Sequence, residues 1–147
     1  MPDSTDKKLV RLLGQNARQN SETLAKRLNI SAATVRRKLR KLINSDALRI
    51  VGLVDPSKFG FPLAVMIALD IEHDKLELAL DMLVNRPEVK WVSPTTGRFD
   101  IIAIARYPST ESFSDFMIKE LAHMEGVKNS ETFICLDVKK GHYGALA

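Results

Sequence analysis

The sequence has almost no cysteine and no long run of apolar residues. Its one cysteine, Cys135, cannot form a disulfide within the chain, and the apolar neighbours Ile134 and Leu136 favour a buried, unreactive thiol. No apolar stretch approaches the roughly 20 residues that a membrane-spanning helix needs. The first residues also lack the hydrophobic segment of a secretory signal. We therefore expect a cytoplasmic protein that has no membrane partner.

The sequence also lacks the patterns of the common catalytic and metal sites. It contains no Gly-x-Ser-x-Gly, no P-loop and no glycine pattern of a dinucleotide site. His73, His123 and His142 are far apart, and neither cysteine nor carboxylate accompanies them at the spacing of metal ligands. We therefore predict no catalytic residue, no metal ion and no cofactor, and hence a protein that is not an enzyme.

Charge, by contrast, is plentiful and unevenly distributed. The 147 residues include 22 Lys or Arg and 18 Asp or Glu. Residues 1–52 hold 12 of the basic and 4 of the acidic residues, a net charge of +8, whereas residues 53–147 have a net charge of −4. This division predicts that the first segment binds a polyanion and that the second does not.

A basic helix is predicted after Ser31, whose hydroxyl can cap it by accepting a bond from the backbone N–H of Ala33 or Thr34. The apolar stripe of this helix is predicted to consist of Val35, Leu39, Leu42 and Ile43. The other face begins with small residues and continues with cations, which suits a helix that enters the DNA major groove by its N-terminus. The predicted DNA-binding residues are Ser31, Ala32, Ala33, Thr34, Arg36, Arg37, Arg40 and Lys41. A solvated basic face is the alternative.

Two shorter helices are predicted before Ser31. The first begins at Thr5 or Asp6, and its apolar face consists of Leu9, Leu12 and Leu13. The second is capped by Asn20 or Ser21, and its inward residues are Leu24, Ala25 and Leu28. Because only two residues link it to the basic helix, the pair is typical of a helix-turn-helix, and the first helix completes the core.

The end of the basic segment is predicted from a short strand and from residues that break regular structure. We interpret the apolar residues 48–54 as the strand of a wing. Residues 55–62 contain two prolines and a glycine, which stop helices and central strands. The predicted organisation is a DNA-binding domain over residues 1–54, a linker over residues 55–62 and a second domain over residues 63–147.

The second domain is predicted to contain one sheet and two helices. Strand patterns occupy residues 63–71, 89–92, 99–107 and 127–138. Helical patterns follow the first and third strands, with their apolar positions at Leu76, Ala79, Leu80, Leu83, Phe113, Phe116, Met117 and Leu121. This order is that of the ferredoxin-like βαββαβ fold, with both helices on one face of the sheet, so the predicted fold class is α+β.

Two of these strands lack the alternation of a half-exposed sheet. Residues 64–69 and 101–105 are apolar throughout, so both of their faces are predicted to be buried. A chain of this size has no further layer to cover the second face, and another subunit is the simplest cover. We therefore predict a homodimer through Met66, Ile102 and Ile104, which presents two recognition helices to successive half-sites.

Together these segments resemble the Lrp/AsnC family of prokaryotic regulators over nearly the whole chain. The similar N-terminal segments are residues 3–10, Arg18 with residues 24–26, and residues 31–37. Gly97 and Asp100 resemble the Gly-x-x-Asp loop of the family's effector domain, and residues 126–127 and 131–133 resemble the start of its last strand. Two positions depart from the family's pattern, since Pro2 replaces a usual leucine and Asp46 a usual glycine.

The resemblance implies a regulator that binds double-stranded promoter DNA and whose dimers assemble further, often into octamers. It also implies a small effector, commonly an amino acid, bound between dimers. Asp100 can accept from the effector's ammonium group, and backbone N–H groups beside it can bind the carboxylate. The predicted effector-binding residues are Thr95, Thr96, Gly97, Arg98, Phe99 and Asp100, with Met124 and Glu125 of a neighbouring subunit. An ordinary turn at Gly97 and Asp100 is the alternative.

Two other functions are compatible with this architecture. The chain also resembles siroheme decarboxylases, in which histidine and arginine serve a tetrapyrrole substrate. The cations between Arg36 and Lys41 favour the regulator. The three histidines do not converge in sequence, which argues against the decarboxylase. The other alternative is an effector-binding assembly partner without DNA contact, which predicts oligomers that do not bind DNA.

Overall fold

The chain divides into two compact units. The boundary falls between Val51 and Gly52, shortly before the predicted end of the first domain. The computed structural model describes residues 2–141, so His142 lies outside the described residues. None of the described helices is long and apolar enough to cross a membrane.

The first unit consists of three helices, each started by a side-chain cap. They are α1 (Ser4–Gln15), α2 (Ser21–Leu28) and α3 (Ala32–Asn44). Asn20 and Ser31 accept bonds from the N–H groups of Thr23 and Thr34, as predicted. Helix α1 begins earlier than predicted, because Asp3 accepts from the N–H of Asp6 while the Asp6 side chain accepts from the N–H of Asp3.

One apolar core joins the three helices. Its buried residues are Leu9, Leu13, Leu24, Ala25, Val35 and Leu42. Leu39 packs against this core, but Ile43 is exposed, so its predicted place in the buried stripe is wrong. Ile43 follows Leu42 by about 100° around the helix axis. In this last turn of α3 the extra rotation carries its side chain away from the stripe.

A left-handed turn at Asp46, with φ of 52°, ends helix α3. The N–H groups of Ala47 and Leu48 both donate to the Leu42 carbonyl, at 3.0 and 3.2 Å. No strand occupies residues 48–53, which all belong to the described structure, and Val54 forms a single β-bridge, so the predicted wing strand over residues 48–54 is wrong. The backbone of Leu48 turns back to the helix and its side chain packs on the helical core, which leaves no N–H of that residue for a partner strand.

The second unit is a four-stranded antiparallel sheet with two helices, which confirms the predicted ferredoxin-like order. The strands are β1 (Leu63–Ile71), β2 (Val89–Pro94), β3 (Ile101–Tyr107) and β4 (Val127–Cys135). The helices are α4 (Leu76–Val84) and α5 (Thr110–Lys119), and short 3-10 turns span Pro56–Phe59, His73–Lys75 and Leu121–His123. The order across the sheet is β2-β3-β1-β4.

The two faces of the sheet differ in what covers them. On the covered face, alternate residues of β1 and β3 form a core with Ala79, Leu83, Phe113 and Phe116 of the two helices. Met66 lies opposite both Ile104 and Phe133 on the other face, which we call the open sheet face. Ala68 lies there opposite Ile102, and Trp91 of β2 lies beside Ile104.

Cys135 lies at the end of β4 and is exposed, so the predicted buried thiol is wrong. It pairs with Ala64 on the open sheet face. Its neighbours Ile134 and Leu136 are exposed as well, because β4 is an edge strand with a partner on one side only. Apolar neighbours in sequence therefore did not indicate burial here.

Candidate functional site

Helix α3 presents a row of cations to solvent on the side away from its core stripe. The exposed residues on this side are Ala33 and the cations Arg36, Arg37, Arg40 and Lys41. Ala33 lies one turn before Arg36 and Arg37, so the first turn of this face carries no bulky side chain. Among the residues that the structure describes, Arg37, Arg40 and Lys41 have no carboxylate partner within ion-pair distance. We call these four cations and Ala33 the basic face of α3.

The other predicted residues of α3 have structural contacts at its N-terminus. The Ser31 hydroxyl accepts from the N–H of Thr34 at 3.1 Å, and the two hydroxyl oxygens are 2.9 Å apart. Ala32 is half-buried against the core of the unit. Ser31 and Thr34 therefore fix the start of the helix beside the basic face.

Arg36 differs from the other cations of the basic face because it has a partner on α2. Its Nη1 atom lies 3.0 Å from Oε1 of Glu22, and both side chains are more than half exposed. Exposed ion pairs contribute little and are screened by salt. Arg36 can therefore exchange Glu22 for another anion.

Lys38 does not belong to the basic face, although the sequence places it among the same cations. Its Nζ atom donates to Asp3 at 2.6 Å and to Asp6 at 2.9 Å, and its side chain is only 14% exposed. The hydrogen bond from Lys38 is the main cause that lowers the pKa of Asp3 to about 2, and it also lowers the pKa of Asp6. Lys38 therefore ties α3 to the start of α1.

The predicted effector loop, residues 95–100, is fastened to the end of β1 by Asp100. Its backbone N–H donates to the Leu69 carbonyl and its Oδ2 atom accepts from the Ile71 N–H, both at 2.8 Å. The Thr95 N–H donates to the Asp100 carbonyl at 2.8 Å, and the Thr95 hydroxyl donates to the Phe99 carbonyl. Asp100 thus has a structural contact through one carboxylate oxygen.

The tip of this loop is exposed at Thr96, Gly97 and Arg98. The Arg98 guanidinium lies 2.9 Å from Oε1 of Glu131 and 5.2 Å from the centre of the Phe99 ring. Gly97 does not have positive φ, and a Cβ atom added there would meet nothing within 4 Å. The loop conformation itself therefore does not require glycine at this position.

The turn that contains Met124 and Glu125 reaches the same end of β1. The Glu72 N–H donates to the Gly126 carbonyl at 2.7 Å, directly after the Ile71 N–H that binds Asp100. Met124, predicted as an effector contact, has its side chain buried in the core of its own unit. Glu125 is exposed and pairs with Lys75, whose pKa it raises.

Charges of both signs lie beside this end of the sheet. The Lys128 ammonium is 2.8 Å from Oδ1 of Asp70 and is the main cause of the lowered pKa of that carboxyl. Among residues 2–141, no group of three or more His, Cys, Asp or Glu side chains is placed to hold a metal ion.

Two family models match the chain. The AsnC-type helix-turn-helix domain matches residues 3–43, and the Lrp/AsnC ligand binding domain matches residues 64–144. The first match contains the basic face of α3, and the second contains the loop of residues 95–100.

Similar proteins include regulators from archaea. An HTH-type transcriptional regulator of Pyrococcus horikoshii is 29% identical over 142 residues, which cover 96% of this chain and 90% of that protein. The HTH-type transcriptional regulator Ptr1 of Methanocaldococcus jannaschii is 27% identical over 137 residues, which cover 92% of this chain and 93% of that protein.

Solved structures share the fold at lower identity. The transcriptional regulator NMB0573 of Neisseria meningitidis, solved as a complex with L-Met, has a TM-score of 0.87 at 24% identity and covers 96% of this chain and 94% of its own. AsnC of E. coli has a TM-score of 0.85 at 22% identity and covers 95% of each chain.

Proposed function

The chain belongs to the Lrp/AsnC family of transcriptional regulators, and we propose that it reads double-stranded promoter DNA with helix α3. The observation that carries this proposal is the basic face of α3, whose cations lie behind the small residue Ala33. A first turn without bulk lets the backbone approach base edges, and arginine can bind guanine through two hydrogen bonds. Because Lys38 is neutralised inside the unit, it takes no part in this contact.

The test compares single variants of α3 in quantitative DNA binding over a range of salt concentrations. Arg37→Ala is expected to lose about 1–3 kcal/mol of binding free energy and to relax preference at one base pair. Lys41→Ala is expected to weaken binding to all sequences alike and to make the salt slope shallower by about one. Lys58→Ala, an exposed change in the second unit, is the charge-matched control. Unchanged affinity and salt slope in the α3 variants would contradict the proposal.

The second part of the proposal is an amino-acid effector at the loop of residues 95–100. Asp100 uses Oδ2 for the Ile71 N–H, so Oδ1 is proposed to accept from the ammonium group. The exposed backbone of Thr96, Gly97 and Arg98 is proposed to bind the carboxylate. The regulator of Neisseria meningitidis that was solved with L-Met supports an amino acid as the class of effector. No metal and no other cofactor is part of this proposal.

Calorimetry with L-Met as the first probe tests the effector site through two variants of one residue. Asp100→Asn keeps an oxygen for the Ile71 N–H but removes the charge, so it is expected to fold normally and to lose L-Met affinity. Asp100→Ala removes both, so it is expected to lose stability as well. Retained L-Met affinity in Asp100→Asn at parental stability would reject the site.

The third part of the proposal is a homodimer through the open sheet face, whose centre is formed by Met66, Ile102 and Ile104. Large exposed apolar patches mark interaction surfaces. We propose that effector binding between such dimers alters a higher assembly, for which the family resemblance suggests an octamer. The names of the similar proteins point to regulators rather than enzymes, and no catalytic step is proposed.

A further inference from the structure

The positive charge of the first unit is not confined to helix α3. All four of its carboxylates, Asp3, Asp6, Glu22 and Asp46, are paired with Lys38, Arg36 or Arg49. Six other cations lie on α1, on α2 and between them: Lys7, Lys8, Arg11, Arg18, Lys26 and Arg27. Among the described residues, no ion pair joins any of these six to a carboxylate.

Three of these cations line a cleft between α1 and α2, which we call the α1–α2 cleft. Its volume is about 300 Å³, and its lining residues are Lys8, Arg11, Leu12, Gln15, Arg27 and Leu28. Lys8, Arg11 and Gln15 follow one another at helical spacing along one side of α1, a length of about 10 Å. Leu12 and Leu28 are half-buried and form the floor of the cleft.

The cation from α2 is held in position by a neutral side chain. Nη1 of Arg27 donates to Oε1 of Gln19 at 2.7 Å. Nε2 of Gln19 in turn donates to the carbonyls of Leu12 and Asn16, at 3.0 and 2.9 Å. Because the amide carries no charge, Arg27 is oriented without being neutralised, and its charge stays available to an anion.

The α1–α2 cleft and the basic face of α3 lie on different sides of the unit. The basic face points away from the core that α1 and α2 complete, since Val35 and Leu42 are on the opposite side of α3. The cleft lies between α1 and α2 themselves. A straight DNA segment bound to the basic face therefore does not reach the cleft.

We propose that the α1–α2 cleft binds the phosphate backbone of a second DNA segment, so that one helical unit holds two segments. This proposal rests on the proposed DNA binding by α3. Backbone contacts need cations spread along a surface rather than an enclosed pocket, and the cleft is open, with three cations and no carboxylate in its lining. It offers charge attraction without readout of sequence, because no small-residue helix N-terminus faces into it.

A sandwich-binding assay on the full chain tests this proposal. One duplex is immobilised, the protein is bound to it, and capture of a second, labelled duplex of random sequence is measured. The cleft variant combines Lys8→Gln, Arg11→Gln and Arg27→Gln. It is expected to bind the first duplex within about twofold of the parent, but to capture at least fivefold less of the second and to show a salt slope shallower by about two to three for that step.

The matched control combines Lys7→Gln, Arg18→Gln and Lys26→Gln, which removes the same charge from exposed residues that do not line the cleft. It is expected to capture the second duplex like the parent. A double variant, Lys8→Gln with Arg11→Gln, leaves the Arg27–Gln19 contact intact and guards against a folding defect in the triple variant.

Equal losses in the cleft variant and the control would overturn the proposal, because net charge alone would then explain the capture. Unchanged capture by both the triple and the double cleft variants would overturn it as well. Arg37→Ala is expected to reduce capture of the first duplex, which separates the two surfaces. A parent protein that binds no first duplex would reject the α3 proposal, and the cleft proposal with it.

Discussion

Among the glycines of the second unit that the structure describes, Gly126 is the one at which an added Cβ atom meets other atoms. Its φ is 85°, and a Cβ atom added there would overlap Cβ of Lys75 and lie 2.7 Å from its Cγ. Gly126→Ala is therefore expected to destabilise the second unit by about 2–4 kcal/mol, from the left-handed backbone and the overlap together. Unfolding by denaturant, followed by the fluorescence of Trp91 in this unit, measures the loss.

Gly97 provides the control for this prediction, since it has neither positive φ nor a neighbour within 4 Å of an added Cβ. Gly97→Ala is expected to change stability by no more than about 0.5 kcal/mol. Similar destabilisation by both substitutions would contradict the assignment of the constraint to Gly126.

The contact of Lys38 with Asp3 and Asp6 predicts how the first unit responds to acid. In the folded protein the pKa of Asp3 is lowered from 3.8 to about 2, and that of Asp6 is lowered as well. A lowered folded pKa adds stability above the ordinary pKa, and this stability is lost as pH falls through the folded value. The unit is therefore expected to lose stability between about pH 4 and pH 2.

Lys38→Met isolates that contribution, because the methionine retains an apolar stem and removes the ammonium group. The variant is expected to be less stable than the parent at neutral pH and to lose less stability on acidification. Thermal unfolding of both proteins across this pH range is the measurement, with Arg36→Met as the control for an exposed cation. Parallel pH profiles of the parent and Lys38→Met would refute the role of the contact.

Among the structural elements, those defined by their own sequence were predictable. The strand β1 has the predicted limits, because an apolar run of strand length is bounded by Pro62 and by polar residues. The strand predicted at residues 48–54 failed because a strand needs a partner along its length, and in this segment only Val54 forms a β-bridge. The burial of Cys135 failed for a related reason, since its strand is at the sheet edge.

The candidate site was predictable where it depends on a single helix. The exposed cations of α3 follow from helical periodicity, which assigns Val35 and Leu42 to the core. The role of Lys38 did not follow, because its partners Asp3 and Asp6 are more than thirty residues away. Contacts of that kind depend on how helices pack, and local spacing does not contain them.

The N-terminus of α3 combines a helix cap with a predicted DNA contact at Ser31, and two substitutions separate these roles. Ser31→Ala is expected to lose about 1 kcal/mol of stability, because the N–H of Thr34 loses its acceptor. Ser31→Asp is expected to keep the cap, since aspartate is an equally good N-cap, but to weaken DNA binding more than Ser31→Ala does, because its charge repels phosphate. Stability from thermal unfolding and affinity from DNA titration give the two readouts. Stronger DNA binding by Ser31→Asp than by Ser31→Ala would contradict a DNA contact at this position.

For the molecule as a whole, the open sheet face is a surface with large apolar side chains that the described chain leaves uncovered. Four large side chains from all four strands lie on it, namely Met66, Trp91, Ile104 and Phe133, which are 37%, 50%, 38% and 50% exposed. A second copy related by two-fold symmetry would bring the same residues together and bury them on both sides. Because each strand contributes a large apolar side chain to this face, another apolar surface is a more favourable cover for its centre than solvent.

Replacement of Ile104 by aspartate tests this assembly. A single subunit tolerates the change, because the side chain already points to solvent, whereas a dimer would bury two unpaired carboxylates at its centre. Light scattering is therefore expected to show a folded protein of lower mass than the parent, and Ile102→Asp is expected to do the same.

Ile118→Asp is the matched control, since Ile118 is 63% exposed on α5 and lies on the helical layer. If Ile104→Asp and Ile102→Asp both keep the parent's mass and melting midpoint, the open sheet face is not an interface; if Ile118→Asp also lowers the mass, the contact between subunits extends to the helices.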